Sequence, residues 1–153
     1  MLFKYKHLFV FVFFSVFFFS GNIQAQQISI DETINFINRI LGDDVKLENK
    51  KGLTVSFYKN GEIYRRDIVG LEDLDPETIK YSEEEKYISI HCYSAAEGCV
   101  DRKLFESKIR RGYKRITFPA DVDESRQKLL IGAFDHLIRL YSDPDYEGNG
   151  SFK

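Results

Sequence analysis

The dipeptide Asn60-Gly61, set between Leu53–Lys59 and Glu62–Val69, constrains the fold of this chain more than any other feature. Asn and Gly tolerate positive φ, and two such residues between β-rich runs make the tight turn whose twist suits antiparallel strands. A regular hairpin about this turn places Phe57 opposite Tyr64, Val55 opposite Arg66 and Leu53 opposite Ile68. Tyr58 and Ile63 then pair on the other side. Apolar residues on both sides predict partial cover on each face, with a neighbouring helix as the second cover.

Around this hairpin the chain reads helix, several strands, helix. Ile34, Ile37, Ile40 and Leu41 recur at helical spacing and predict a helix over residues 31–41, with Ser29 and Glu32 as a capping box and Gly42 as its stop. Val45–Glu48 reads as a short strand. Residues 71–85 hold Asp75-Pro76 and seven carboxylates against Lys80, with room for a helical turn or a short extra strand. Tyr87–Tyr93 alternates cleanly, Ile88, Ile90 and Cys92 facing one way and Tyr87, Ser89, His91 and Tyr93 the other. Cys99–Phe105 is expected as its partner strand, Arg110-Arg111-Gly112 as a turn, and Tyr113–Phe118 as the last strand. A carboxylate cap at Asp121–Glu124 opens a second helix over residues 124–141. Its stripe comprises Leu129, Leu130, Ala133, Phe134, Leu137, Leu140 and Tyr141.

The first 25 residues have the layout of a secretory signal: Lys4 and Lys6, the apolar run Leu8–Phe19, then a polar stretch with Ile23 at −3 and Ala25 at −1. This run of twelve apolar or small residues spans about 18 Å as a helix, short of a hydrocarbon core of roughly 30 Å. The expected domain therefore covers residues 26–144 as one unit, with residues 145–153 as a flexible tail and no membrane span after cleavage. The leader takes two cations and no acid, so 20 basic and 24 acidic side chains remain, a net charge of −4. That excludes the strong basic excess of a dedicated nucleic-acid binder. The chain has no Trp, which weighs against sugar stacking.

Cys92 and Cys99, seven apart in an exported chain, predict a disulfide. Closing a loop of about eight residues contributes roughly 2.5 kcal/mol in the chain-entropy model. Redox and zinc roles fit less well: the spacing is not C-x-x-C, and His91 and Cys92 would point to opposite faces of a strand. Carboxylates at 143, 145 and 147 with Gly148 start like a calcium loop, but the chain ends before its twelfth position. Neither a nucleophile elbow, a metalloprotease pattern nor a phosphate loop is present, so no catalytic residue, metal or cofactor is assigned. His91, between Tyr87 and Tyr93, is the residue on which a small hydrolase or isomerase would rest. His136 reads as a boundary residue of the second helix.

Charge is locally polarised. Residues 102–115 hold Arg102, Lys103, Lys108, Arg110, Arg111, Lys114 and Arg115 against Glu106 alone, while residues 72–85 are acidic. Lys108, Arg110, Arg111, Lys114 and Arg115 are the candidate contacts for an anionic partner. Pairing between the two blocks, within one chain or between copies, is the competing explanation, and surface pairs contribute only about 0–1 kcal/mol each.

The expected class is α+β: an N-terminal helix, a bent antiparallel sheet or partly open barrel of six to seven strands, and a long C-terminal amphipathic helix that closes it. Over residues 45–141 this order resembles the pleckstrin-homology-like superfold, whose bent sheet is closed at one end by a helix. The leading helix and secretory leader depart from that superfold's intracellular lipid binders. A helix-cradling sheet of the cystatin or NTF2-like kind is the alternative. The functional expectation is a secreted or periplasmic, non-catalytic module, a monomer or weak homo-oligomer, that binds a protein or anionic surface through a basic hairpin. A self-associating envelope component is the other alternative.

Overall fold

The computed structural model describes residues 28–96, 98–143 and 145–146; the expected leader, the cut after Ala25 and most of the tail and calcium-like loop lie outside them. In order come α1 (Ile30–Leu41), β1 (Val45–Lys50), β2 (Gly52–Lys59) and β3 (Glu62–Val69), then two single 3-10 turns at Leu71–Asp73 and Pro76–Thr78. The chain continues through β4 (Lys80–Ser82), β5 (Tyr87–His91), β6 (Val100–Leu104), β7 (Ile109–Tyr113), β8 (Arg115–Pro119) and α2 (Glu124–Ser142). The strands form two antiparallel sheets, β1-β2-β3-β6-β7 and β4-β5-β8. The fold is α+β as expected, with open sheets rather than a closed barrel and eight strands rather than six or seven. The extra strands come from the acidic stretch, which holds both the helical turns and β4, and from a bend at Lys114 that splits β7 from β8.

The Asn60-Gly61 turn forms as expected, with φ of 55° and 80° at its two residues and Lys59 facing Glu62. Tyr58 faces Ile63, also as expected, but a β-bulge between Phe57 and Tyr58 then shifts the register. Phe57 faces Arg65, Val55 faces Asp67 and Leu53 faces Val69. One extra residue on the β3 side turns every later side chain to the opposite face. Arg65, Asp67 and Val69 therefore point inward with Phe57, Val55 and Leu53, while Arg66 and Ile68 point out.

The partner of Tyr87–Tyr93 also differs from expectation. β5 lies between β4 and β8, and β6 instead crosses to the larger sheet to sit between β3 and β7. The disulfide loop is the crossover, not a hairpin: Cys92 and Cys99 are bonded with Cα atoms 6.1 Å apart. The turn between β6 and β7 falls at 105–108, where Lys108 has φ 55°, so Arg110, Arg111 and Gly112 lie within β7. Gly112 lets the loop pack closely there, since an added Cβ would lie 3.0 Å from the Gly98 carbonyl oxygen.

The core lies between the apolar inner faces of the sheets and the two helices. Phe57, Phe118, Phe134, Leu47, Val55, Ile88, Ile90, Ile116, Leu130 and Leu137 are fully buried in it. The Phe118 and Phe134 rings are 4.4 Å apart between centroids. α1 begins with the expected capping box, Ser29 N–H donating to Glu32 Oε2 at 2.8 Å and Glu32 N–H to Ser29 Oγ at 3.2 Å. Its main neighbours are α2 and β1, not the hairpin's second face. Asn38 completes the free edge of β1: its amide donates to Leu47 O at 3.0 Å and accepts from Leu47 N–H at 2.8 Å. At Leu47, therefore, that edge cannot pair with another strand. On α2 the buried stripe runs through Leu130, Ala133, Phe134, Leu137 and Ile138, and it takes in His136; Tyr141 is exposed. His136 Nε2 lies 3.3 Å from the Ile28 carbonyl oxygen, so it belongs to the interior rather than the boundary.

Candidate anion-binding site

The bulge builds a buried ionic cluster that hydrophobic patterning does not predict. Asp67 is wholly buried and takes both guanidinium groups that flank it on the inner face. Arg102, its partner across β3 and β6, donates from Nε and Nη2 at 2.9 Å each. Arg65 donates through Nε at 3.0 Å to Oδ1, and through Nη2. Arg65 also reaches the Thr117 carbonyl oxygen at 3.3 Å, so one side chain joins the larger sheet to β8, the edge strand of the smaller one. Each guanidinium rests on a ring, Arg65 on Phe57 at 4.0 Å and Arg102 on Tyr113 at 4.2 Å. The arrangement saturates the carboxylate and serves structure.

The outer face carries a different pattern. Pairing across all five strands sets Lys46, Ser56, Arg66, Lys103 and Arg110 in one row, each opposite the next. Adjacent strands lie about 4.7–4.9 Å apart, so the row spans about 19 Å. The next row along the strands is Glu48, Thr54, Ile68, Asp101 and Gly112. Contacts confirm the shared face: Arg66 Nε donates to Ser56 Oγ at 3.4 Å, and Arg66 and Lys103 both lie over the Phe105 ring, at 5.5 and 4.7 Å. Arg110 donates from Nε to Asp101 at 2.9 Å, and also through Nη2.

These cations act on their neighbours. The Arg110 hydrogen bond holds the Asp101 carboxyl below its ordinary range and raises the Arg110 guanidinium in return. Glu48 is lowered chiefly by its hydrogen bond to Lys50, against a smaller opposing effect of burial, and then by the charges of Lys50, Lys46 and Arg66. Lys46, Lys103 and Arg110 are exposed and Arg66 half-buried. The two rows together hold four cations and two acids, within a chain of net negative charge.

The five cations singled out in the sequence do not share one face. Arg110 lies in the outer row and Lys108 in the β6–β7 turn beside it. Arg111 lies on the other side of β7, level with Arg102, and is exposed. Lys114 stands at the bend between β7 and β8. Arg115 lies on the smaller sheet opposite His91 and near Tyr87, whose hydroxyl is raised mainly by its hydrogen bond to Glu85. Lys46 and Arg66 are the residues that charge clustering missed: they are far from 102–115 in sequence, and only strand pairing brings them into the row. Within the acidic stretch, Glu77 pairs with Arg139 at 2.6 Å and Glu83 with Lys86 at 3.1 Å.

The remaining candidates are less developed. The His91 ring is exposed and makes no hydrogen bond among the described residues; only its backbone N–H is engaged, by Thr78 Oγ1 at 2.9 Å. Among the described residues no group of three or more His, Cys, Asp or Glu is placed to hold a metal, and no helix is long and apolar enough to cross a membrane. A groove of about 620 Å³ between α1 and β1 is lined in part by Arg39, Asp43, Lys46 and Tyr58. Fold and site together define an α+β domain with a cationic sheet face. Comparisons with protein-family models, with curated proteins and with solved structures find no match.

Proposed function

We propose that this protein is an exported, non-catalytic module that holds an anionic partner on the outer face of its five-stranded sheet, at and around the β6–β7 hairpin. The observation that carries this reading is the cross-strand row of Lys46, Arg66, Lys103 and Arg110. Its four cations outnumber the two flanking acids, Glu48 and Asp101, and so leave a local positive field although the whole chain is acidic, and such a field steers anions to it. Lys108 adds to the row from the turn, and Arg111, Lys114 and Arg115 add at longer range. Export is supported by the leader's layout, and the Cys92–Cys99 disulfide is compatible with it.

The test is retention on a sulfated resin such as immobilised heparin, eluted by a salt gradient. The wild-type domain is expected to be retained at low ionic strength and released as screening shortens the Debye length to about 8 Å near 0.15 M. Replacing Lys46, Lys103 and Arg110 together by Ser should leave the circular dichroism unchanged and abolish retention. Equal retention of the folded triple variant removes the proposal.

A further inference from the structure

We propose that the partner is a linear acidic polysaccharide laid across the strands, along Lys46, Arg66, Lys103 and Arg110. This rests on the reading of the outer face as an anion site and adds the ligand's chemistry and its direction. Strand pairing dictates the track: the cations stand in single file, one for each strand except β2, where Ser56 leaves a gap. The inter-strand distance of about 4.7–4.9 Å is close to the advance of one sugar in a 1,4-linked chain; successive sugars turn their charged groups to alternate sides, so carboxylates or sulfates recur on one side about every two strands, within reach of the flexible Lys and Arg side chains. The row of about 19 Å then accommodates about five sugars.

The surroundings favour a chain over a bilayer. Glu48 and Asp101 border the row on one side, paired with Lys46 at 3.8 Å and with Arg110, so a flat anionic sheet of headgroups would be pressed against two carboxylates, whereas a single chain can follow the cations and leave both acids beside it. The exposed large apolar side chains among the described residues, Tyr64, Tyr93, Ile109 and Tyr141, lie off the row, which leaves nothing on it to insert into lipid. Arg66 and Lys103 are held along the sheet by the Phe105 ring, so less side-chain freedom is lost when an anion binds. Recognition by charge needs no stacking platform, in keeping with the lack of Trp.

The experiment is titration calorimetry of the intact domain with heparin oligosaccharides of defined length, from disaccharide to decasaccharide, alongside phosphatidylglycerol vesicles. Affinity is expected to rise with length until the chain spans the row, at about a hexasaccharide, and then to level off. Lys46→Ser, at the far end from the hairpin, should weaken long oligosaccharides about two- to fivefold and leave the disaccharide unchanged. Binding independent of length, or an equal effect of Lys46→Ser at every length, overturns the track. Binding to vesicles with none to oligosaccharides overturns the ligand class while leaving the anion site standing. Binding to neither probe at low salt overturns the anion site as well.

Discussion

Asp67 shows how one side chain governs its surroundings. It accepts hydrogen bonds from two guanidinium groups whose side chains are themselves only 12% and 14% exposed. Removing one member of a buried ionic cluster strands the others, at a cost of about 3–5 kcal/mol. Asp67→Asn is therefore expected to lose that much in urea unfolding, whereas Arg110→Ala, at an exposed pair, should change stability by less than about 1 kcal/mol. Equal effects would show that Asp67 is not the centre of the interior network. Acid sensitivity is argued at Glu32, whose carboxyl is held below its ordinary value mainly by the Ser29 backbone N–H and then by the Ser29 hydroxyl. A depressed folded pKa means stabilisation that is complete above the unfolded value of 4.5 and lost as pH falls through the lower folded value. The stability difference between wild type and Glu32→Gln should accordingly be present at neutral pH and vanish in that acidic window.

At the scale of elements, the β2–β3 hairpin and its bulge decide which residues meet. The Asn60-Gly61 turn was legible because only a few residue types accept its backbone angles. The bulge was not, because Tyr64 fits a regular strand as well as an irregular one. Without it Arg66 would face Val55 in the interior and Asp67 would point to solvent. Deleting Tyr64 should remove the bulge yet leave Arg65, Asp67 and Val69 opposite Phe57, Val55 and Leu53, so unfolding should stay cooperative; loss of a sharp transition in the deletion variant would contradict this account. β2 offers a second test at Gly52, where φ is 87° and an added Cβ would lie 2.7 Å from the Val69 carbonyl oxygen. Gly52→Ala is expected to cost more than about 1 kcal/mol through strain and backbone displacement, read by thermal unfolding.

At the scale of the molecule, the Cys92–Cys99 bond holds the crossover between the two sheets. Reduction is expected to lower unfolding free energy by roughly 2.5 kcal/mol, with a mass gain of two hydrogens on the reduced chain. An unaltered urea midpoint after reduction would show that the crossover needs no tether. Periodicity by itself determined α1, α2, the Asn60-Gly61 hairpin and the alternating core of β5, because these depend on local spacing and on backbone angles that a few residues can satisfy. The two cysteines likewise announced their own pairing. Tertiary structure alone decided that β6 leaves β5 for β3, since both edges offer compatible backbone hydrogen bonds and the choice rests on total packing. That single choice sets Lys103 beside Arg66 and extends the cationic row to Lys46. Residues so far apart in the chain become neighbours only when non-local strand pairing closes the distance, and no local pattern encodes it.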